Sequence, residues 1–274
     1  QGKVLACCAT ALEDCEIEYD ASAVRTNIKE YTASVVDMTK LTHDVMRVTL
    51  KLPNKDRIPF KAGQYINIIL DDGQRRAFSF ANPPHFGDII ELQIRLMPGG
   101  RFTTHVFEGM KVGDQVRFEG PVGDFTLRES ERPIVFVAGA TGFAPVKSMV
   151  EDAFRRGIKR QIHLYWGVKQ LKDLYLPELP QQWAKEHANF HFIPVLSEPA
   201  PEDNWSGRTG MVHEAILTDF PELKGHEIYA CGSVRMVEAI FPFLKAHGAE
   251  DGQCFSDAFT LSARSMAYQP PLKQ

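Results

Sequence analysis

The sequence predicts a two-part fold, a small antiparallel β-barrel followed by a doubly wound α/β domain. Three observations carry this reading. The chain has 274 residues, which at roughly 150 residues per domain suggests two domains. Up to about residue 128 the signals are short strands, rich in β-branched and aromatic residues and bounded by turns. After Pro133 strand patterns alternate with helical ones, which implies parallel βαβ units. The expected divisions are 1–29, which fits neither half, 30–128 for the barrel, 129–260 for the α/β domain and 261–274 as a tail.

In the first half, strands are expected at Tyr31–Met38, Val45–Leu52, Gln64–Leu70, Arg75–Ala81, Ile89–Leu96 and Gln115–Glu119. Asp72-Gly73, Pro83-Pro84, Gly87-Asp88 and Gly113-Asp114 supply the turns. One short helix is expected at Thr103–Glu108. Six short strands of this kind suggest a closed antiparallel sheet. In the second half, strands are expected at Ile134–Ala138, Gln161–Trp166, Phe190–Leu196 and Glu227–Cys231. Helices are expected at Ala144–Arg156, Glu178–His187, Met211–Leu217 and Val234–His247. In such a sheet ligands bind beyond the carboxyl ends of the strands, so the residues just after each strand matter most.

Composition narrows the function classes. Lys+Arg number 31 and Asp+Glu 35, a formal net charge of −4, with no basic block of the kind a nucleic-acid binder carries. The hydrophobic share of 44% and charged share of 24% suit a globular protein. The strongest apolar stretch, Ile134 to Ala140, falls far short of the roughly 20 residues of a membrane span. Five cysteines, an odd number, do not make a disulfide scaffold and favour a reducing, cytoplasmic setting. His187 and His191 lack an acidic third ligand in register, and no HExxH, GxSxG or CxxC occurs. The chain opens with Gln1 and has no Met before Met38, so it reads as a fragment or a processed chain.

Four loops carry the residue types that chemistry needs. Gly139-Ala140-Thr141-Gly142-Phe143-Ala144-Pro145 follows an apolar strand and opens a helix, whose free amides and positive dipole end suit a pyrophosphate. Pro145 is tolerated in a first helical turn. Tyr229-Ala230-Cys231-Gly232-Ser233, with Met236 beyond, places a small polarizable side chain at a strand end, where it either lies against a flat ring or is simply core. Arg75-Arg76-Ala77-Phe78-Ser79-Phe80-Ala81-Asn82 offers a cation, an aromatic face and a hydroxyl, or else a surface Arg pair with core aromatics. Ile94-Arg95 and then Pro98-Gly99-Gly100-Arg101-Phe102-Thr103-Thr104 read as a diphosphate loop or as a hairpin turn with a helix cap.

Taken together, these segments resemble the ferredoxin–NADP reductase superfamily over roughly residues 30–260. Arg76, Phe78 and Ser79 match its flavin strand, and Gly99, Gly100, Thr103 and Thr104 match its pyrophosphate loop. Gly120, Pro121, Gly123 and Phe125 match its interdomain segment. Ala138 to Pro145 match its dinucleotide turn, and Tyr229, Cys231 and Gly232 match the segment near the nicotinamide. Leu164-Tyr165-Trp166-Gly167, Asp173-Leu174-Tyr175-Leu176, Gly207-Arg208-Thr209-Gly210 and Phe255-Ser256-Asp257-Ala258-Phe259 are similar to bacterial reductases with a plant-type ferredoxin domain ahead of the flavin domain. Some of those serve a 3,6-dideoxysugar dehydrase and others serve Rieske-type oxygenases.

The resemblance implies a Greek-key flavin barrel, FAD and NADH as cofactors, and hydride passage from nicotinamide C4 to flavin N5 with onward single-electron transfer to an iron–sulfur acceptor. Ser79 and Cys231 are then the residues at the reacting rings. Arg76, Phe78, Ala81, Asn82, Ile94, Arg95, Gly99, Gly100, Thr103 and Thr104 are expected around FAD, with Phe259 covering the ring. Gly139, Thr141, Gly142, Pro145, Ser197, Gly232 and Met236 are expected around the dinucleotide. Ser197, Glu198, Glu202 and Asp203 favour NADH, while Arg208 keeps NADPH open. Gly2 to Cys7 resemble the last cluster-binding stretch of a ferredoxin, with Cys7 as fourth ligand, so a [2Fe–2S] cluster is expected only in a longer parent chain. Partners among nucleic acids or membranes are not expected. A free-flavin reductase would share the fold but release its flavin, and a non-catalytic electron-transfer subunit would not be reduced by NADH directly.

Overall fold

A computed structural model describes residues 28–259. Cys7, the stretch before residue 28 and the tail after Phe259 lie outside the described residues.

The first half is a six-stranded antiparallel sheet. Its strands are β1 (Lys29–Lys40), β2 (Val45–Lys51), β3 (Tyr65–Ile69), β4 (Arg75–Ser79), β5 (Ile89–Arg95) and β6 (Gln115–Val122), with helix α1 (Arg101–Glu108) between the last two. The spatial order is β4-β3-β6-β1-β2-β5. β6 returns to pair with both β3 and β1, which is the Greek-key crossing. The two edges meet where the Ala81 amide donates to the Glu91 carbonyl at 2.8 Å, so the sheet closes into the expected barrel. Period-two alternation fills it: Val48 and Leu50, Ile66 and Ile68, Ile90, Leu92 and Ile94, and Val116 and Phe118 all point into one core. Phe60 and Phe80 stack there with ring centroids 3.8 Å apart.

The second half alternates as expected. It comprises β7 (Ile134–Gly139), α2 (Phe143–Arg155), β8 (Ile162–Val168), α3 (Glu178–Glu186), β9 (Phe190–Leu196), β10 (Arg208–Thr209), α4 (Val212–Asp219), β11 (Glu227–Ser233), α5 (Val234–Ala246) and β12 (Cys254–Phe259). The strands are all parallel, in the order β10-β9-β8-β7-β11-β12. The near-continuous apolar run of β7 is explained by burial on both faces. Ile134, Phe136 and Ala138 meet α2 and α3, whereas Val135 and Val137 meet α4 and α5.

Boundaries differ from expectation for identifiable reasons. β4 ends at Ser79, because Phe80 bonds back to the Gln64 carbonyl and Ala81 changes partner to Glu91. α1 begins at Arg101, two residues early, with Gly100 as its N-cap. β10 is only two residues long, too short to leave a periodic signature.

The segment between the halves is anchored at its far end. Arg160 and Glu227 form an ion pair with both side chains almost wholly buried. The same guanidinium donates to the Arg132 and Arg128 carbonyls, and Tyr229 Oη donates to Glu227 at 2.9 Å. Removing one member strands a buried charge, which typically costs about 3–5 kcal/mol. Glu227→Ala is therefore expected to lose stability on that scale in urea unfolding. A loss below about 1 kcal/mol would show that water or a shifted Arg160 compensates.

Candidate active site

β7 and β11 are neighbours, yet the chain leaves β7 for β8 on one side and β11 for β12 on the other. This is the switch point at which open α/β sheets bind ligands. The turn from β7 into α2 is tightly drawn. Ala140 sits at φ 46°, a left-handed conformation that an L-residue adopts only under strain. The Trp166 indole holds it there, donating to the Ala140 carbonyl at 3.0 Å. A Cβ on Gly142 would overlap the Cys231 carbonyl, and one on Gly139 would overlap the Met236 sulfur. A Cβ on Gly232 would lie 3.2 Å from Gly139 Cα. The structure thus brings Gly139, Gly142, Cys231, Gly232 and Met236 to one point, with Thr141 half-buried at the turn and Pro145 inside α2.

Cys231 is fully buried here, and burial, with Asp257 as a lesser cause, pushes its thiol well above the usual range. Asp257 is its direct neighbour on β12. Desolvation raises that carboxyl to about 6. Phe259 ends β12 level with Ser233, whose hydroxyl caps α5 by accepting from the Met236 amide at 3.3 Å. Ser197 is exposed at the end of β9.

On the barrel side, alternation along β4 puts Arg76 and Phe78 on one face and Ser79 on the other. Phe78 lies 5.4 Å from Phe102 of α1. Arg76 donates to the Arg75 carbonyl at 2.8 Å and to Gln74 Oε1 at 2.6 Å, and no carboxylate pairs with it among the described residues. Beside it α1 starts without a side-chain cap. Gly99 takes φ 69° to make the preceding turn. The Thr103 hydroxyl closes that turn, accepting from the Met97 amide at 3.1 Å and donating to the Gly100 carbonyl at 3.2 Å. Thr104 is half-buried next to it. An unneutralised Arg, an uncapped helix and a glycine turn fit an anionic diphosphate. Ser79 is buried, and its hydroxyl makes no hydrogen bond among the described residues.

Four further expected residues are engaged within the protein itself. Asn82 is buried, with its amide bonded to the Phe86 and Ile89 carbonyls and its Oδ1 accepting from the Glu91 amide. Ala81 is fully buried at the interface between the halves, and Ile94 points into the barrel core. Arg95 pairs with Asp44 at 2.7 Å. Three residues that the local patterns did not mark also stand here. They are Lys147 on α2, bonded across the interface to the Ala81 carbonyl, Tyr175, whose hydroxyl donates to Gln93 Oε1 at 2.7 Å, and Asp257.

Comparison with known proteins identifies both domains. Residues 32–127 match the oxidoreductase FAD-binding domain, and residues 136–241 the oxidoreductase NAD-binding domain. The chain is 39% identical over 264 residues to the CDP-6-deoxy-L-threo-D-glycero-4-hexulose-3-dehydrase reductase of Yersinia pestis, covering 96% of this chain and 79% of that protein. The chain belongs to the ferredoxin-reductase superfamily of FAD- and NAD-binding oxidoreductases. It is also 39% identical over 244 residues to the terephthalate 1,2-dioxygenase reductase component 1 of Comamonas sp, covering 87% and 71% of the two chains. The cytochrome P450 reductase GcoB of Amycolatopsis superposes with a TM-score of 0.80 at 32% identity, covering 85% of this chain and 71% of that one. The superfamily assignment makes the chain an FAD-dependent NAD(P)H oxidoreductase.

Two predictions follow from the turn and the strand beside it. Ala140→Gly should cost no stability in urea unfolding and gain up to about 1 kcal/mol, because relief of the left-handed strain offsets the extra freedom of the unfolded chain. For Asp257 the folded carboxyl binds its proton more tightly than the usual 3.8, so stability falls as pH rises from about 4 to about 6. The full effect is on the order of 3 kcal/mol. Asp257→Asn should flatten that slope in pH-dependent unfolding of the FAD-free protein, and an unchanged slope would assign it to another group.

Proposed function

We propose that the chain oxidises NADH on a bound FAD and delivers single electrons to an iron–sulfur acceptor. The observation that supports this best is that each half carries a site fit for an anionic phosphate. On the barrel this is Arg76 with the uncapped start of α1, and on the sheet the Gly139–Gly142 turn, against which β5 lies. In this reading residues 30–128 hold FAD and residues 129–260 the dinucleotide. The acceptor is then an upstream ferredoxin domain or a partner oxygenase or dehydrase, as the names of the Yersinia pestis and Comamonas relatives suggest. The setting is cytoplasmic; among the described residues no helix is long and apolar enough to cross a membrane.

FAD held there would supply the redox chemistry that links a two-electron donor to a one-electron acceptor. The protein positions and shields. Arg76, Gly99, Gly100 and the α1 amides, with Thr104 beside them, hold the diphosphate. Phe78 packs on the ring system, and the free Ser79 hydroxyl offers a donor at the N5 edge. Ala81, Asn82, Ile94 and Arg95 shape the wall behind it, Ala81 and Asn82 through the interface and Arg95 through Asp44. Gly139, Thr141, Gly142 and Pro145 seat the dinucleotide, Ser197 meets its ribose, and Cys231, Gly232 and Met236 line the nicotinamide approach. Phe259, at the end of β12, would cover the flavin ring system.

NADH is favoured over NADPH because two cations beside the end of β9 already have carboxylate partners. Lys169 pairs with Glu198 at 3.3 Å beside Ser197, and Arg208 pairs with Asp219. A 2′-phosphate would have to displace a carboxylate, whereas a free ribose hydroxyl suits one.

An anaerobic NADH titration followed by visible absorbance tests the reading. Bound flavin that bleaches stoichiometrically supports it, and flavin that stays oxidised with both NADH and NADPH refutes it. Protein that cannot retain FAD belongs instead to the free-flavin class. Ser79→Ala is expected to slow flavin reduction about tenfold, the scale of one lost hydrogen bond, with FAD retained. An unchanged rate in rapid mixing would remove Ser79 from the reacting edge.

A further inference from the structure

The interface between the two halves contains a polar chain that none of the site residues above accounts for. On α2, Lys147 Nζ donates to the Ala81 carbonyl at 3.0 Å and meets Glu151 at 3.1 Å and Glu91 at 3.6 Å. Glu91 Oε1 accepts from Gln93 Nε2 at 3.1 Å. Gln93 Oε1 accepts from the Tyr175 hydroxyl at 2.7 Å. The Tyr175 ring then stands edge-on to Trp166, with centroids 5.0 Å apart and planes at 82°. Trp166 in turn holds the Ala140 carbonyl. The route is continuous. It begins at the carbonyl two residues past Ser79 and ends in the strained turn of the dinucleotide site.

Its members are spaced to matter. Glu91 and Gln93 lie on the outer face of β5, away from the barrel core that takes Ile90, Leu92 and Ile94. Tyr175 and Gln93 are each 5% exposed, so an unmade bond between them would leave two buried polar groups without partners. Tyr175 and Cys231 belong to the same buried cluster. The strain at Ala140 persists only while its surroundings over-determine it. Trp166 supplies the hydrogen bond, and Tyr175 supplies part of the wall that orients Trp166.

We propose that Tyr175 is a positioning residue: through Gln93 on the barrel and Trp166 on the sheet, it fixes the Ala140 turn relative to the strand carrying Ser79. This rests on the reading of that interface as the NADH–FAD site. The reason it should matter is geometric, since misplacement of reacting groups by about 1 Å costs up to about 100-fold in rate.

The test removes the bond from each side. Tyr175→Phe deletes only the hydroxyl, and Gln93→Met keeps length without polarity, so one serves if the other folds poorly. Two quantities are read. The first is hydrogen–deuterium exchange of the amides at 140–143 in the FAD-loaded protein. The second is the rapid-mixing rate of flavin reduction by NADH, with FAD affinity measured alongside. Both variants are expected to exchange those amides at least about fivefold faster and to reduce flavin about tenfold or more slowly, with FAD affinity within about twofold. The double variant should be no worse than the worse single, because the two act as one unit. Unchanged exchange at 140–143 overturns the proposal, even if thermal stability drops or reduction slows. Faster exchange with wild-type reduction overturns the positioning role as well. Failure of the NADH–FAD reading is separate, because there the wild-type flavin itself would not be reduced.

Discussion

A lysine ammonium buried between the two halves must be bonded on every side or it would expel itself. That constraint on Lys147 organises the interface. Its partners come from both halves, the Ala81 carbonyl and Glu91 on the barrel and Glu151 on its own helix. One residue on, Ser148 donates to the Asn82 carbonyl at 2.8 Å. These carbonyls are in reach only because the chain leaves β4 at Ser79 and the Asn82 side chain props the loop to Glu91. α2 is the rigid member. Lys147 is five residues beyond Gly142, about 7 Å along the helix axis, so fixing Lys147 on the barrel fixes the glycine turn as well. Burial raises the Glu151 carboxyl, and the neighbouring lysine offsets only part of that rise.

The apolar contacts follow the same line. Val45, Ala62 and Phe125 of the barrel side join the core formed by Phe143, Trp166 and Tyr175, so the halves share one hydrophobic cluster. The connecting segment is pinned rather than loose. The Arg128 amide donates to Tyr229 Oη at 2.9 Å, its guanidinium pairs with Asp124 at 2.9 Å, and it lies 4.8 Å over the Phe255 ring. Period-two alternation decides which side chains reach this shared face. Tyr229 and Cys231 of β11 point to it, and Ile228 and Ala230 point away to α4 and α5. The crevice therefore rests on a continuous packed layer, which is what a site that must hold two rings in register needs.

Legibility in the sequence divided along a physical line. Strand and helix periods are local, so both architectures and most element positions could be read from them. The glycines at 99, 139, 142 and 232 could be marked because a backbone approach or a positive φ excludes other residues. The interface could not be read. Lys147 meets Ala81 across 66 residues, and Tyr175 meets Gln93 across 82, and no local pattern encodes such pairings. Asn82 looked available because its neighbours are flavin-strand residues, yet its amide is spent on its own loop. Ala140 gave no sign of its left-handed backbone, since alanine is unremarkable in a turn. Asp257 lies inside the Phe255–Phe259 motif, but only the parallel register that sets it against Cys231 and out of water shows why its carboxyl is raised.

Cys231 shows what kind of chemistry this arrangement supports. A thiol that is wholly buried, with a carboxyl beside it and no cation to stabilise a thiolate, stays protonated and is a poor nucleophile. The residue's use is spatial. Its carbonyl is pressed against Gly142 and its neighbour Gly232 against Gly139, so the end of β11 sets how deep the turn can sit. Any larger group at either glycine would push strand and turn apart and open the shared layer beneath Tyr175. The machinery is thus built from close approach, a strained turn and buried bonds, with no activated nucleophile among the described site residues. That is the division of labour in which cofactors carry the reaction and the protein supplies distance and orientation.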